Sequence, residues 1–151
     1  MAKDWTVIRQ YPLIITDNSL DKHNSLDLRM SNQPEFATGK ICYLVIPAIN
    51  IEESAVFFES TFGWHLRREN GTISFDDSVN QVSGTWVAGL PAHTNPGISI
   101  HIMVMDMDAA LQTVTINGGK IVTQVGKDLP EITAEISDPA GNLFGLYQHR
   151  G

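Results

Sequence analysis

The chain has 151 residues, of which 42% are hydrophobic and 18% charged, and its formal net charge is −7 at pH 7. This length and composition predict one globular domain with a hydrophobic core of its own. The excess of acidic side chains repels phosphate backbones and anionic lipids, which argues against nucleic acid or a membrane as a partner.

No apolar run approaches the roughly 18 residues of a membrane span, and the first residues lack the pattern of a signal peptide. The chain has one cysteine, Cys42, so an intramolecular disulfide is excluded. A single thiol fits a reducing compartment, and the cytoplasm is the expected location. Cys42 falls inside a predicted strand and is interpreted as a small buried residue rather than a nucleophile.

Residues 1–38 differ from the remainder of the chain. Apolar residues gather between Trp5 and Ile15, but Pro12 interrupts them and favours an edge strand or an irregular segment. The stretch 16–38 is rich in Asp, Asn, Ser and Lys, which is typical of a long loop or arm. We interpret residues 1–38 as an N-terminal extension that either packs on the domain or reaches a second subunit.

Residues 39–91 form a first predicted module of strand, helix and three strands. An apolar strand at 40–47 leads into an amphipathic helix that begins after Asn50, a good N-cap, and ends at Gly63, where a left-handed residue is favoured. The apolar stripe of this helix consists of Ile51, Ala55, Phe58 and Phe62. Three strands follow at 64–69, 72–76 and 84–90, with Asn70-Gly71 as a tight hairpin.

Residues 97–150 repeat this order. A strand at 97–105 precedes a helix that an Asp at 106 or 108 starts and Asn117-Gly118-Gly119 ends. Three more strands are predicted at 120–125, 131–137 and 142–148, and the sequence 138–141 fits a type I turn. The modules align at a spacing of 56 residues, from Asn50 to Asp106, which indicates a duplication. Two such units can pair into a curved eight-stranded sheet with helices outside and a cavity inside.

A family resemblance rests on this element order, on Phe57-Phe58 before Phe62-Gly63-Trp64, and on the closing sequence at 138–147. Together they resemble the vicinal oxygen chelate superfamily, which includes glyoxalase I, bleomycin and fosfomycin resistance proteins, extradiol dioxygenases and methylmalonyl-CoA epimerase. The resemblance covers residues 39–151 and implies an α+β fold in which two βαβββ modules form a curved mixed sheet around a concave cavity. It also implies a homodimer, because members of this size usually pair.

Strand alternation indicates which side chains face the cavity. The isoleucines of the strand at 97–105 form its more hydrophobic face and should pack under a helix. The inward set on that strand is then Ser99, His101, Met103 and Met105. The same rule turns Glu135, Gly145 and Tyr147 inward on the last two predicted strands.

The candidates for ligand contact are Tyr43, Trp86, Met103 and Tyr147. Alternation is ambiguous on the first strand, where both faces are apolar, and the resemblance places Tyr43 inward with Cys42 and Leu44 beneath it. Trp86, Met103 and Tyr147 are interpreted equally well as core or interface residues.

Metal-using members of the superfamily hold a divalent ion through His, Gln and Glu side chains from four strands. At the matching positions this chain has Tyr43 on the first strand, His101 at the start of the second module and Gly145 on the last strand, while no carboxylate lies near 86–89. His101 is thus the one matching ligand. No complete metal site and no cofactor are predicted, and a divalent metal is the less favoured alternative.

Two interpretations of His101 stay open, a hydrogen-bonded histidine of the cavity wall and a general base or donor to a ligand oxygen. Ser99 is interpreted as a small wall residue, because the sequence places no base beside it. Glu135 is either a solvated strand residue or a catalytic acid.

Three hypotheses for function follow. The first is a glyoxalase-like or bleomycin-resistance-like protein that binds a small, mostly apolar molecule without a metal. The second is a superfamily enzyme, a lyase, isomerase or ring-cleaving dioxygenase, that uses His101 with Glu135. The third, a purely structural partner protein, is weaker, because a curved sheet tends to leave a concave pocket.

Overall fold

The structure, a computed structural model, describes residues 36–95, 97–123, 126 and 132–149. The extension predicted at 1–38 lies outside the described residues apart from its last three positions. The first module contains β1 (Tyr43–Ala48), α1 (Ile51–Phe62), β2 (His65–Glu69), β3 (Thr72–Asp76) and β4 (Ser83–Ala88). The second contains β5 (His101–Met103), α2 (Met107–Ile116), β6 (Lys120–Thr123), β7 (Ile132–Ser137) and β8 (Leu143–Gln148).

The strands form two mixed sheets of the same topology. The order is β1-β4-β3-β2 in the first sheet and β5-β8-β7-β6 in the second, and in each the first-listed pair is parallel while the other pairs are antiparallel. The predicted α+β class and both βαβββ modules are therefore confirmed. In the described part of the chain the strands make two four-stranded sheets rather than one eight-stranded sheet.

Both helices have a capping side chain at the start and a left-handed glycine after the last turn. Asn50 Oδ1 accepts a hydrogen bond from the Glu53 amide at 3.1 Å, and Asp106 Oδ1 accepts one from the Ala109 amide at 3.0 Å. α1 ends at Gly63, whose φ of 69° is left-handed as predicted. In the second module the left-handed residue is Gly118, with φ 91°, and α2 ends at Ile116, two positions before the equivalent of Phe62 in the repeat.

The core is organised around Phe58 on α1, which is fully buried. Its ring stacks on Trp64 with centroids 4.5 Å apart and contacts Trp86 of the first sheet at 5.8 Å. The same ring meets Phe144 of the second sheet edge-on at 5.4 Å. One side chain therefore joins the two modules in a single hydrophobic core, and burying a ring of this size contributes roughly 1.5–3 kcal/mol.

α1 buries a second face that the predicted stripe leaves out. Phe57 lies beside the stripe yet is only 1% exposed, because it packs against the second module. A Cβ on Gly119 would come within 2.8 Å of Phe57 Cε2, so this close approach requires glycine at 119. The two helices are also linked by a hydrogen bond of 3.0 Å that Asn117 Nδ2 donates to Thr61 Oγ1.

The turn before β8 forms a buried polar junction. Gly141 donates its amide to the Asp138 carbonyl at 3.0 Å, which confirms the predicted turn. Asn142 Nδ2 donates to Asp138 Oδ2 and to the Pro47 carbonyl, both at 2.7 Å, and its Oδ1 accepts from the His93 amide at 2.8 Å. Asn142 thereby ties the second module to β1 and to the connecting segment.

Burial raises the pKa of the Asp138 carboxyl, although hydrogen bonds from the Asn142 side chain and from backbone amides oppose that rise. Asp138 is 2% exposed and Asn142 1% exposed. A polar pair at this depth is tolerated because each partner satisfies the other.

Three local predictions need correction. Cys42 is exposed and precedes β1 rather than lying buried within it. β5 is three residues long instead of spanning 97–105. Ile98 is 79% exposed, whereas Ile100 and Ile102 do pack against the core.

Candidate functional site

The first sheet has one face against the core and one open face. Tyr43 and Val45 are 52% and 53% exposed, whereas Ile46 on the opposite side of β1 is 3% exposed. Leu44 is partly buried and packs against the core. The orientation that the resemblance implied for Tyr43 is therefore the observed one, and Tyr43 and Val45 lie on the open face.

The open face of the second sheet carries a row of residues in register across three strands. His101 on β5 lies opposite Gly145 on β8, and Gly145 lies opposite Glu135 on β7. His101 and Glu135 are both exposed. They share a face as predicted, but β8 separates them, and within the described residues no hydrogen bond or ion pair joins their side chains.

The next row along the same face is largely apolar. Met103 lies opposite Tyr147, which in turn lies opposite Thr133. Met103 is 66% exposed and Tyr147 is partly buried, with its hydroxyl 3.5 Å from His149 Nδ1. Met103 and Tyr147 are thus brought together beside His101, and their role in binding a ligand stays a prediction.

The imidazole of His101 lies directly over Gly145. A Cβ built on Gly145 would fall 2.3 Å from His101 Nδ1 and 2.4 Å from Cε1. Gly145 is buried although it belongs to the open face, and the ring of His101 is what stands over it. Ser99 Oγ lies 3.1 Å from His101 Nε2, so the prediction that no base stands beside Ser99 is wrong.

Sequence reasoning missed a polar row on the open face of the first sheet. Asp76 accepts a hydrogen bond of 2.6 Å from Ser83 Oγ and forms a salt bridge with Arg67. Arg67 and Asp76 are diagonal neighbours across the β2–β3 hairpin. Because the Asn70-Gly71 turn fixes that register, the pair could have been found from the sequence.

Trp86 does not lie on an open face. It is 2% exposed, and its ring packs 4.7 Å from Phe75 and 5.8 Å from Phe58, on the side of β4 that faces α1. Of the two interpretations that the sequence left open for Trp86, the structure shows the core position rather than a wall of the concave side. Its Nε1 is buried without a hydrogen-bond partner in the described chain.

A cavity of about 590 Å³ opens on the helix side of the first sheet, beside the start of α1. Its lining includes Ile49, Ile51, Ile73 and Trp86. Of the predicted site residues only Trp86 contributes to it.

Comparison with known proteins places this geometry in a family. A glyoxylase-like domain-containing protein from Didymella fabae is 31% identical over 125 residues, which covers 75% of this chain and 96% of that protein. The chain belongs to the glyoxalase-like family of the vicinal oxygen chelate superfamily. A comparison with protein-family models gives no match.

Solved structures of glyoxalase-like proteins share the fold. A glyoxalase/bleomycin resistance protein/dioxygenase family enzyme from Burkholderia phytofirmans PsJN superposes with a TM-score of 0.60 at 13% identity, covering 73% of this chain and 98% of that one. The fosfomycin resistance protein FosX from Mesorhizobium loti gives a TM-score of 0.60 at 12% identity, covering 76% and 95%. At these identities the likeness concerns the fold alone.

The residues at the metal-ligand positions of the superfamily do not fit a metal ion in this glyoxalase-like chain. Gly145 offers no side-chain donor, and the space above it is taken by the His101 ring. Across the described residues, no group of three or more His, Cys, Asp or Glu side chains is placed to hold a metal.

Neither helix in the described part of the chain is long and apolar enough to cross a membrane.

Proposed function

We propose that this protein binds a small, mostly apolar molecule on the open faces of its sheets, as a cytoplasmic homodimer without a complete metal site. The observation that carries the proposal is the apolar exposure of those faces. Tyr43 and Val45 are 52% and 53% exposed, Met103 is 66% exposed, and Met105 just beyond β5 is 88% exposed. Apolar groups gathered in this way mark binding surfaces in globular proteins.

A second copy of the chain is the partner that suits these faces. β1 and β5, which carry Val45 and Met103, are edge strands of their sheets. An isologous dimer covers the same patch on both copies, and aromatic and methionine side chains are enriched at such interfaces. A ligand held between the two copies would lose most of its contact with water.

Light scattering coupled to gel filtration tests the dimer. We expect a mass twice the 16.7 kDa of the chain for wild type, and a monomer for Val45→Glu, because the charge would be buried without a partner. Val79→Glu is the matched control, since Val79 is 54% exposed but lies in the loop between β3 and β4. A wild-type monomer would count against the dimer, and dissociation by both variants would count against Val45 as the place of the interface.

Methyl NMR of methionine-labelled protein tests ligand binding. Met103 lies on the open face, whereas Met107 is 3% exposed and serves as an internal control. We expect 8-anilinonaphthalene-1-sulfonate, a fluorophore with apolar aromatic rings and one sulfonate group, to shift the Met103 signal and leave Met107 unchanged. Equal shifts at both methyl groups would indicate loosening of the core, and a silent Met103 would refute the proposed surface.

Elemental analysis of protein purified without chelators tests the metal. A stoichiometric transition metal would overturn the proposal, because the donors that the open face offers do not make a complete site.

A superfamily enzyme, a lyase, isomerase or ring-cleaving dioxygenase that uses His101 with Glu135, is the second candidate. The observation that favours it is the shared row of His101, Gly145 and Glu135 on one open face. In that case His101→Ala abolishes turnover while the circular dichroism spectrum stays that of wild type. Full activity of His101→Ala would remove the candidate.

A further inference from the structure

We infer that Gly145 and Ser99 are positioning residues for His101, and that the resulting site selects ligands with an apolar body and one hydroxyl group. The inference rests on the proposed function, since it assigns the chemistry of the same open face. From the sequence, Gly145 is only a position that lacks a metal-ligating side chain. In the structure, the imidazole ring of His101 packs directly against Gly145.

The His101 ring packs so closely against Gly145 that no side chain fits at position 145 without moving the ring. A Cβ at 145 would meet Nδ1 at 2.3 Å, Cε1 at 2.4 Å and Cγ at 2.7 Å, so three ring atoms crowd the same point. Real Cβ atoms do not approach other heavy atoms this closely, so every residue but glycine would displace the ring. Glycine at 145 is thus a steric condition for the observed orientation of His101.

Ser99 holds the other side of the ring. Its Oγ lies 3.1 Å from Nε2, within hydrogen-bonding distance, and Ser99 and His101 share a face because they are two residues apart on an extended segment. A hydroxyl can pair with Nε2 in either tautomer, because it both donates and accepts. Ser99 therefore holds the orientation of the His101 ring and leaves its tautomer open.

The chemistry of the ligand follows from what remains for it to contact. Nδ1 is the ring nitrogen that Ser99 leaves without a partner in the described residues, and the neighbouring row offers the apolar side chains of Met103 and Tyr147. A hydroxyl group can pair with Nδ1 in either tautomer, because it both donates and accepts. An apolar body beside that hydroxyl would rest on Met103.

NMR of the His101 ring tests the positioning directly and needs no ligand. We expect nuclear Overhauser contacts between the Gly145 Hα protons and His101 Hε1 in wild type, and their loss in Gly145→Ala. Ser99→Ala should change the ¹⁵N shifts of both ring nitrogens, Ser99→Thr should restore them, and Ser74→Ala on the other sheet should leave them unchanged. Absence of the contacts in wild type would overturn the inference, even if a variant failed to fold.

Binding of two matched probes tests the ligand class. 4-Methylphenol and 4-fluorotoluene have nearly the same shape, but only the first carries a hydroxyl. We expect 4-methylphenol to bind wild type roughly five- to tenfold more tightly, the effect of one net hydrogen bond, as followed at the Met103 methyl signal. The preference should vanish in His101→Ala and fall in Ser99→Ala and Gly145→Ala.

The outcomes separate this inference from the proposed function. If both probes shift the Met103 signal with equal affinity, the open face binds apolar molecules but His101 does not discriminate in favour of a hydroxyl. The assigned ligand class is then wrong, and the proposed function stands. If neither probe shifts Met103, the proposed binding surface and the assigned ligand class fail together, whereas the ring contacts decide the positioning role by themselves.

Discussion

Replacing Asn142 with alanine removes the side chain that joins β1, the connecting segment and the turn before β8. Three hydrogen bonds are lost, those to the Pro47 carbonyl, the Asp138 carboxylate and the His93 amide. At about 1 kcal/mol each, the bonds alone account for roughly 3 kcal/mol. Asp138 is 2% exposed, so its carboxylate also loses a partner that water does not readily replace, and the expected total is about 3–5 kcal/mol.

Urea denaturation followed by tryptophan fluorescence measures this loss, and thermal unfolding should show a fall in Tm of roughly 10 °C. Asn117→Ala is the matched control, because it too removes an asparagine that links the modules but breaks one part-buried bond to Thr61, worth about 1 kcal/mol. The reasoning is refuted if the two variants lose the same stability, since the buried network would then add nothing beyond a single bond.

Two further predictions concern folding and one concerns the junction between modules. Gly84→Ala should destabilise by about 1–3 kcal/mol or more, because its Cβ would lie 2.3 Å from both Leu44 O and Phe75 Cζ, and urea midpoints measure the loss. Phe57→Ala should cost about 3–5 kcal/mol by the same assay. Since burial raises the pKa of Asp138, wild type should gain stability relative to Asp138→Asn as pH falls towards 3.8, and lose that gain as pH rises through the folded pKa. Parallel stability curves for the two proteins between pH 4 and 7 would contradict this assignment.

The fold was predictable because local signals agree with one another. Asn50 and Asp106 cap helices at equivalent points of a repeat, and Asn70-Gly71 closes the expected hairpin with φ of 51° and 77°. These features depend on short-range geometry, which the sequence states directly. The second buried face of α1, with Phe57, depends on how the modules pack and left no periodic signal.

The site was predictable only in part. Alternation correctly placed His101 and Met103 on an open face, because one side of β5 is covered by the core. For Trp86 the sequence left a core position and a ligand-binding wall equally open, because no alternation was assigned to its strand. The contact between Ser99 and His101 depends on a side-chain torsion angle, and residue spacing does not determine it.

In this superfamily the fold positions the residues of the site, whereas the side chains at those positions determine its chemistry. This chain has the parallel pairing of β5 and β8, which places His101 beside position 145. At that position a carboxylate would project over the sheet as a metal ligand, whereas glycine projects nothing and admits the ring of its neighbour. Glycine at 145 thus leaves room for the imidazole of His101 to lie on the backbone of β8. Building a metal site at this position would require His101 to move off the sheet as well as a carboxylate at 145, so neither change alone should suffice.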